Sequence, residues 1–201
     1  MNSTRHRPSV PRWRRARSGA VALGVFALAA PIGAVATTST ATASPTASPT
    51  ASQAAAPYCG ITWGSLPQAT APGLLWTGNV TGTRSGRHPC YDRVVFDVAK
   101  GHGTLGYSVR YVNQVTGPSG LPVALTGGAK LQVTLNAPST LAPSTTAYAG
   151  WPAFRQLKFV DSFEGYTDYG LGVRARLPMR AFVLANADGS QRLVVDVANR
   201  W

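Results

Sequence analysis

From about Tyr58 onward, apolar residues recur in short runs, many alternating with polar ones, and glycine-rich breaks separate the runs. No stretch holds a helical period over a dozen residues. The alternation predicts strands over Leu75–Val80, Arg93–Val98, Tyr107–Val115, Val123–Leu125, Lys130–Leu135, Arg155–Val160, Tyr169–Arg176, Ala181–Ala185 and Arg192–Val197. Gly101-His102-Gly103, Gly117-Pro118-Ser119-Gly120, Gly127-Gly128 and Asp188-Gly189 mark turns between them. The segment Leu141–Ala149, rich in Ser, Thr and Pro, reads as a loop joining two halves. Asp188-Gly189 closes a final hairpin, because glycine takes positive φ without steric cost. Strands this short and this numerous predict an all-β fold, a sandwich or a barrel.

One strand pattern is written twice. Residues 92–98 read DRVVFDV and residues 191–197 read QRLVVDV. Side chains alternate faces along a strand. Val94, Phe96 and Val98 therefore share one face and Arg93, Val95 and Asp97 the other. In the second copy Leu193, Val195 and Val197 oppose Arg192, Val194 and Asp196. If the two strands are antiparallel neighbours in register, Arg93 faces Asp196 and Asp97 faces Arg192. Each such pair contributes a few tenths of a kcal/mol and fixes register. The plainer reading is a pair of half-buried strands with solvated charges at their ends.

Composition changes the picture at the N-terminus. Residues 1–17 hold six Arg and no acid, and residues 18–36 carry no charge. A basic stretch followed by an apolar one and then small residues is the layout of a secretory signal peptide, assigned to residues 1–36. Ala34-Val35-Ala36 and Ala41-Thr42-Ala43 both offer cleavage sites, and an uncleaved membrane anchor is the alternative. Residues 37–57 are almost all Ser, Thr, Ala, Pro and Gln with a repeating SPTA unit, the composition of a disordered tether. Residues 58–201 make up the expected folded domain. Removing the basic leader takes six charges from the formal +12. The remaining +6 suits an anionic cell-wall or membrane surface as well as a nucleic acid, and export argues against a nucleic-acid partner.

The same compartment makes the two cysteines, Cys59 and Cys90, a disulfide pair, because an even count in an oxidising environment favours bridging. No metal site and no cofactor motif is read in the chain. The strongest cluster of candidate chemistry is Phe163-Glu164-Gly165-Tyr166-Thr167-Asp168-Tyr169, which holds the one Glu of the sequence. Glu164, Tyr166, Asp168 and Tyr169 fit a glycan-binding edge, with Trp151, Arg174 and Arg176 as further candidate contacts. A glycosidase needs two carboxylates flanking one bond, and Glu164 with Asp168 would be that pair. The plain alternative is a turn with packed tyrosine rings.

Residues 91–201 resemble the AMIN-like domain of bacterial secreted proteins, related to the AMIN domain of cell-wall amidases and secretins. The matching elements are DRVVFDV (92–98), YSVRYV (107–112), SGLPVALTGGAKLQVTL (119–135), FEGYTDYGLGV (163–173) and QRLVVDV (191–197). The resemblance implies a small two-sheet β-sandwich, here of about 8–9 short strands, and a non-catalytic targeting or binding module at the cell envelope. It implies peptidoglycan, wall polysaccharide or another envelope protein as partner. Two other readings stand beside it: a glycan-acting enzyme using Glu164 and Asp168, and an interaction or inhibitor module that adds a strand at an open edge.

Overall fold

The computed structural model describes residues 57–201. The expected signal peptide, and the expected tether apart from Pro57, lie outside the described residues. Tyr58–Gly60 make a single 3-10 turn, and the rest of the regular structure is β. The strands are β1 (Gln68–Ala69), β2 (Val80–Arg87), β3 (Tyr91–Val98), β4 (Tyr107–Val112), β5 (Val115–Thr116), β6 (Pro122–Val123), β7 (Ala129–Leu135), β8 (Thr145–Ala147), β9 (Phe154–Phe163), β10 (Tyr166–Val173), β11 (Met179–Ala185) and β12 (Gln191–Ala198). Four of them form an antiparallel sheet in the order β11-β12-β3-β2, six another in the order β1-β4-β7-β10-β9-β8, and β5 pairs with β6.

Alternation explains which faces meet. Val94, Phe96 and Val98 of β3 and Leu193, Val195 and Val197 of β12 point inward and are buried. The larger sheet answers with Val109, Leu131, Val133, Leu135, Leu157, Leu171 and Val173, and all of these join one apolar core. Burying each such side chain stabilises the fold by about 1.5–3 kcal/mol. The Phe96 ring lies 4.8 Å from that of Tyr169, and Phe159 meets Tyr169 edge-on at 5.3 Å. Polar links also cross the layers. Tyr107 Oη donates to the Ala181 carbonyl at 2.9 Å, and Tyr111 Oη to that of Leu177 at 2.6 Å. Asp92 is fully buried, and its Oδ2 accepts the backbone N–H groups of Ala153 and Phe154 at 2.7 and 2.8 Å.

The segment carrying β5 and β6 lies against the outer side of β10. A Cβ on Gly172 would collide with the Thr126 carbonyl oxygen, and one on Gly170 would press on Leu125 and Val115. The Gly-Leu-Gly sequence of β10 therefore provides the flat surface on which this segment lies.

Several expectations need correction. The all-β expectation holds, and only the counts change: short pairings bring the strands to twelve and the sheets to three, in place of 8–9 and two. Leu75–Val80 is not a strand. Trp76 makes one bridge to Gly103 and is buried with its indole N–H donating to the Ala99 carbonyl at 2.9 Å. The strand instead runs from Val80 to Arg87 through the polar sequence TGTRSGR. Leu141–Ala149 is not wholly a loop, since Thr145–Ala147 pair with β9. The expected strand Tyr107–Val115 breaks after Val112, and β5 resumes at Val115. The final hairpin forms in register from Met179↔Val197 to Ala185↔Gln191, with Gly189 at φ 83°. Cys59 and Cys90 are disulfide-bonded, which ties the first turn to the connection between β2 and β3.

Candidate functional site

The sequence-predicted ligand residues divide among three places. Glu164 and Gly165 form the two-residue turn between β9 and β10, both at positive φ (49° and 84°), as a tight hairpin of this type requires. Phe163 and Tyr166 pair directly across the strand ends beside this turn and are exposed. Asp168 sits further in, accepting from Thr134 Oγ1 at 2.5 Å and from Gln132 Nε2 at 3.4 Å. Tyr169 belongs to the core: it is 1% exposed, and burial pushes its phenol up to about 12. Its hydroxyl has no hydrogen-bond partner among the described residues.

Trp151, Arg174 and Arg176 lie at the other end of these strands. Trp151 precedes β9 and Glu164 follows it, so the ten residues of that strand separate them by roughly 30 Å. Trp151 packs on Tyr148 at 4.8 Å and is half-buried over the core. Arg174 donates to the Pro152 and Asn199 carbonyls at 3.1 and 2.9 Å. Arg176 reaches the Ser65 carbonyl at 3.3 Å and lies 4.9 Å over the Tyr111 ring. The hairpin tip is thus an aromatic edge with one free carboxylate, and the other predicted contacts are not part of it.

The structure brings the charged residues of the repeated word together on the outer face of the four-stranded sheet. β3 and β12 are antiparallel neighbours, with Arg93 opposite Asp196 and Asp97 opposite Arg192. Arg93 grips Asp196 with Nε at 2.6 Å and Nη2 at 2.9 Å, and Arg180 from β11 reaches the same carboxylate at 2.7 Å. Asp196 is fully buried between them. Its hydrogen bond to Arg93 raises that guanidinium further above its ordinary pKa. Trp63, Tyr91 and Phe182 frame the pair, with Arg180 5.3–5.6 Å from all three ring centroids.

The second expected pair does not form. Asp97 is held in a two-point contact by Arg84 of β2, at 2.8 and 2.9 Å, although Arg192 stands opposite it in register. β2 lies on the other side of β3, and the Arg84 fork satisfies both carboxylate oxygens. Arg192 is left with its Nε buried and without a hydrogen-bond partner among the described residues.

Arg84 and Arg180 escaped the sequence reading. Arg84 falls in a polar stretch with no alternation to mark it. Arg180 had a visible signal, since extending the strand expected at Ala181 back by one residue places it opposite Asp196. No group of three His, Cys, Asp or Glu positioned for a metal occurs among the described residues.

A family model described as the AMIN-like domain matches residues 78–199. No curated protein and no solved structure matches the chain.

Proposed function

Because the chain belongs to the AMIN-like domain family, we propose that it is a non-catalytic, exported module that holds cell-envelope material, peptidoglycan or its anionic polymers, through the outer face of the four-stranded sheet. One observation carries this reading. Four strands each send one arginine to that face, Arg84, Arg93, Arg180 and Arg192, and only two carboxylates, Asp97 and Asp196, engage them. The surplus is cationic and sits on a rigid sheet rather than on loops. The signal-peptide layout of residues 1–36 and the disulfide support an extracytoplasmic setting. The glycosidase reading gains nothing from the geometry. Asp168 is engaged by Thr134 and Gln132, and Glu164 stands by itself on the hairpin tip.

The test is retention of the full chain on insoluble peptidoglycan carrying its native anionic polymers. Retention is expected at 0.01 M salt, where the Debye length is about 30 Å, and is expected to weaken by 0.15 M, where it is about 8 Å. Passage through the wall material at the lower salt would overturn the reading.

A further inference from the structure

The unpaired Arg192 lines a trough of about 310 Å³ on the outer face of the four-stranded sheet. Its floor is Val95 and Val194, which are 7% and 2% exposed although they point away from the core. Arginine stems cover them, as long amphipathic side chains do over apolar surface. The walls are Arg84, Arg93, Arg192 and His88.

The donors here are directed as well as numerous. Arg84 spends Nε and Nη2 on Asp97. Arg93 spends Nε and Nη2 on Asp196, with Nη2 also reaching the Tyr91 hydroxyl at 3.4 Å. The Nη1 atoms of both make no hydrogen bond among the described residues, and neither Nη of Arg192 does, while its Nε is buried. The two neighbouring carboxylates are already engaged, so they hold two of these arginines in place without neutralising the third. Asp97 shows how a planar carboxylate is met on this face by a single arginine fork, and Asp196 takes the Arg93 fork with one further contact from Arg180. Donors arriving from β2, β3 and β12 around one open trough suit a tetrahedral oxyanion instead, whose oxygens point several ways.

We infer that this trough binds a phosphate-type oxyanion, the phosphodiester group of an anionic wall polymer, with Arg192 as its principal contact. The wall as the source of the ligand rests on the envelope reading above, whereas the oxyanion site stands on its own geometry. The trough can take one phosphate of a chain against Arg192, with the adjoining polyol carbons against the exposed Leu184 in its lining.

Binding of a glycerol-phosphate oligomer of defined length to the full chain tests this, with poly-glutamate of matched charge as the carboxylate probe. Arg192→Gln is expected to weaken oligomer binding roughly tenfold. Arg110→Gln, which removes the same charge from exposed β4, is expected to leave it within about twofold. Asp97→Asn removes a competing acceptor and is expected to tighten binding, a gain that a folding defect would not produce. Equal losses in the Arg192 and Arg110 variants would reduce the effect to net charge and overturn the site. Poly-glutamate binding as tightly through Arg192 would overturn the phosphate assignment. Retention on native wall and on wall stripped of its phosphodiester polymers separates the two readings. Equal retention on both overturns this inference and leaves the envelope reading standing. No retention on either, with Arg192-dependent binding of the free oligomer, does the reverse.

Discussion

Tyr169 shows at the residue scale how one side chain can look like a ligand contact in sequence and yet belong to the core. Its neighbours in Glu-Gly-Tyr-Thr-Asp-Tyr-Gly resemble a sugar-binding edge, but alternation from Tyr166 turns every second residue inward, and Thr167 and Tyr169 are the buried ones. The hydroxyl carried into the core meets no partner among the described residues. Tyr169→Phe removes that hydroxyl and keeps the ring contacts with Phe96 and Phe159, so stability at pH 7 is expected to hold within about 1 kcal/mol. Alkaline conditions should separate the two chains. Burial raises the Tyr169 and Tyr111 phenols from 10.0 to about 12, so the fold favours their neutral forms. The stability linked to that preference is complete below pH 10 and is lost as pH rises through about 12. Thermal melts between pH 9 and 12 should show the wild-type midpoint falling more steeply than that of Tyr169→Phe.

Among the elements, β10 is the most constrained by its neighbours. Its inward face builds the core and its outward face is stripped to glycine where the Val115–Thr126 segment crosses. Gly172→Ala drives a methyl group into the Thr126 carbonyl, and a loss of about 1–3 kcal/mol in chemical denaturation is expected. Gly82→Ala on β2, where a Cβ has open space around it, is the matched control. The same elements show what the chain made legible. β3 and β12 could be read, down to the facing of Arg93 and Asp196, because each carries apolar residues on one side and charge on the other. β2 could not, because an edge strand buries little and TGTRSGR has no apolar face to reveal its period. The unpaired state of Arg192 was hidden for a linked reason. Whether Asp97 turns to Arg192 or to Arg84 depends on β2 lying alongside β3, and that neighbour left no trace in the hydrophobic pattern. β2 also bears on the strand-addition reading. It is an edge strand of eight residues, but Val80 at its start is bridged to Ser139, and it carries a register shift there as well as Arg84 and Arg87, features that blunt an edge against further pairing.

Considered as a whole molecule, the described chain extends beyond its family match. Residues 57–77 precede the matched region, yet Gln68 and Ala69 add a strand to the six-stranded sheet, Gly64 bridges Met179, and Cys59 is bonded to Cys90. Opening the disulfide releases this segment into the unfolded ensemble's full freedom. For a loop of this size, Cys59→Ser with Cys90→Ser is expected to cost about 3 kcal/mol in equilibrium unfolding. The bond also sets the path by which the domain bears tension. Cys90 directly precedes β3, an interior strand of its sheet, and its carbonyl accepts the Asn199 N–H just past the end of β12. A pull on the chain ahead of Pro57 leaves the 3-10 turn at Cys59 and passes through the sulfurs into the head of β3, bypassing the two-residue β1. Load is then shared along the β3 ladders with β2 and β12, and the two-residue pairing of β1 with β4 is shielded from being peeled away first.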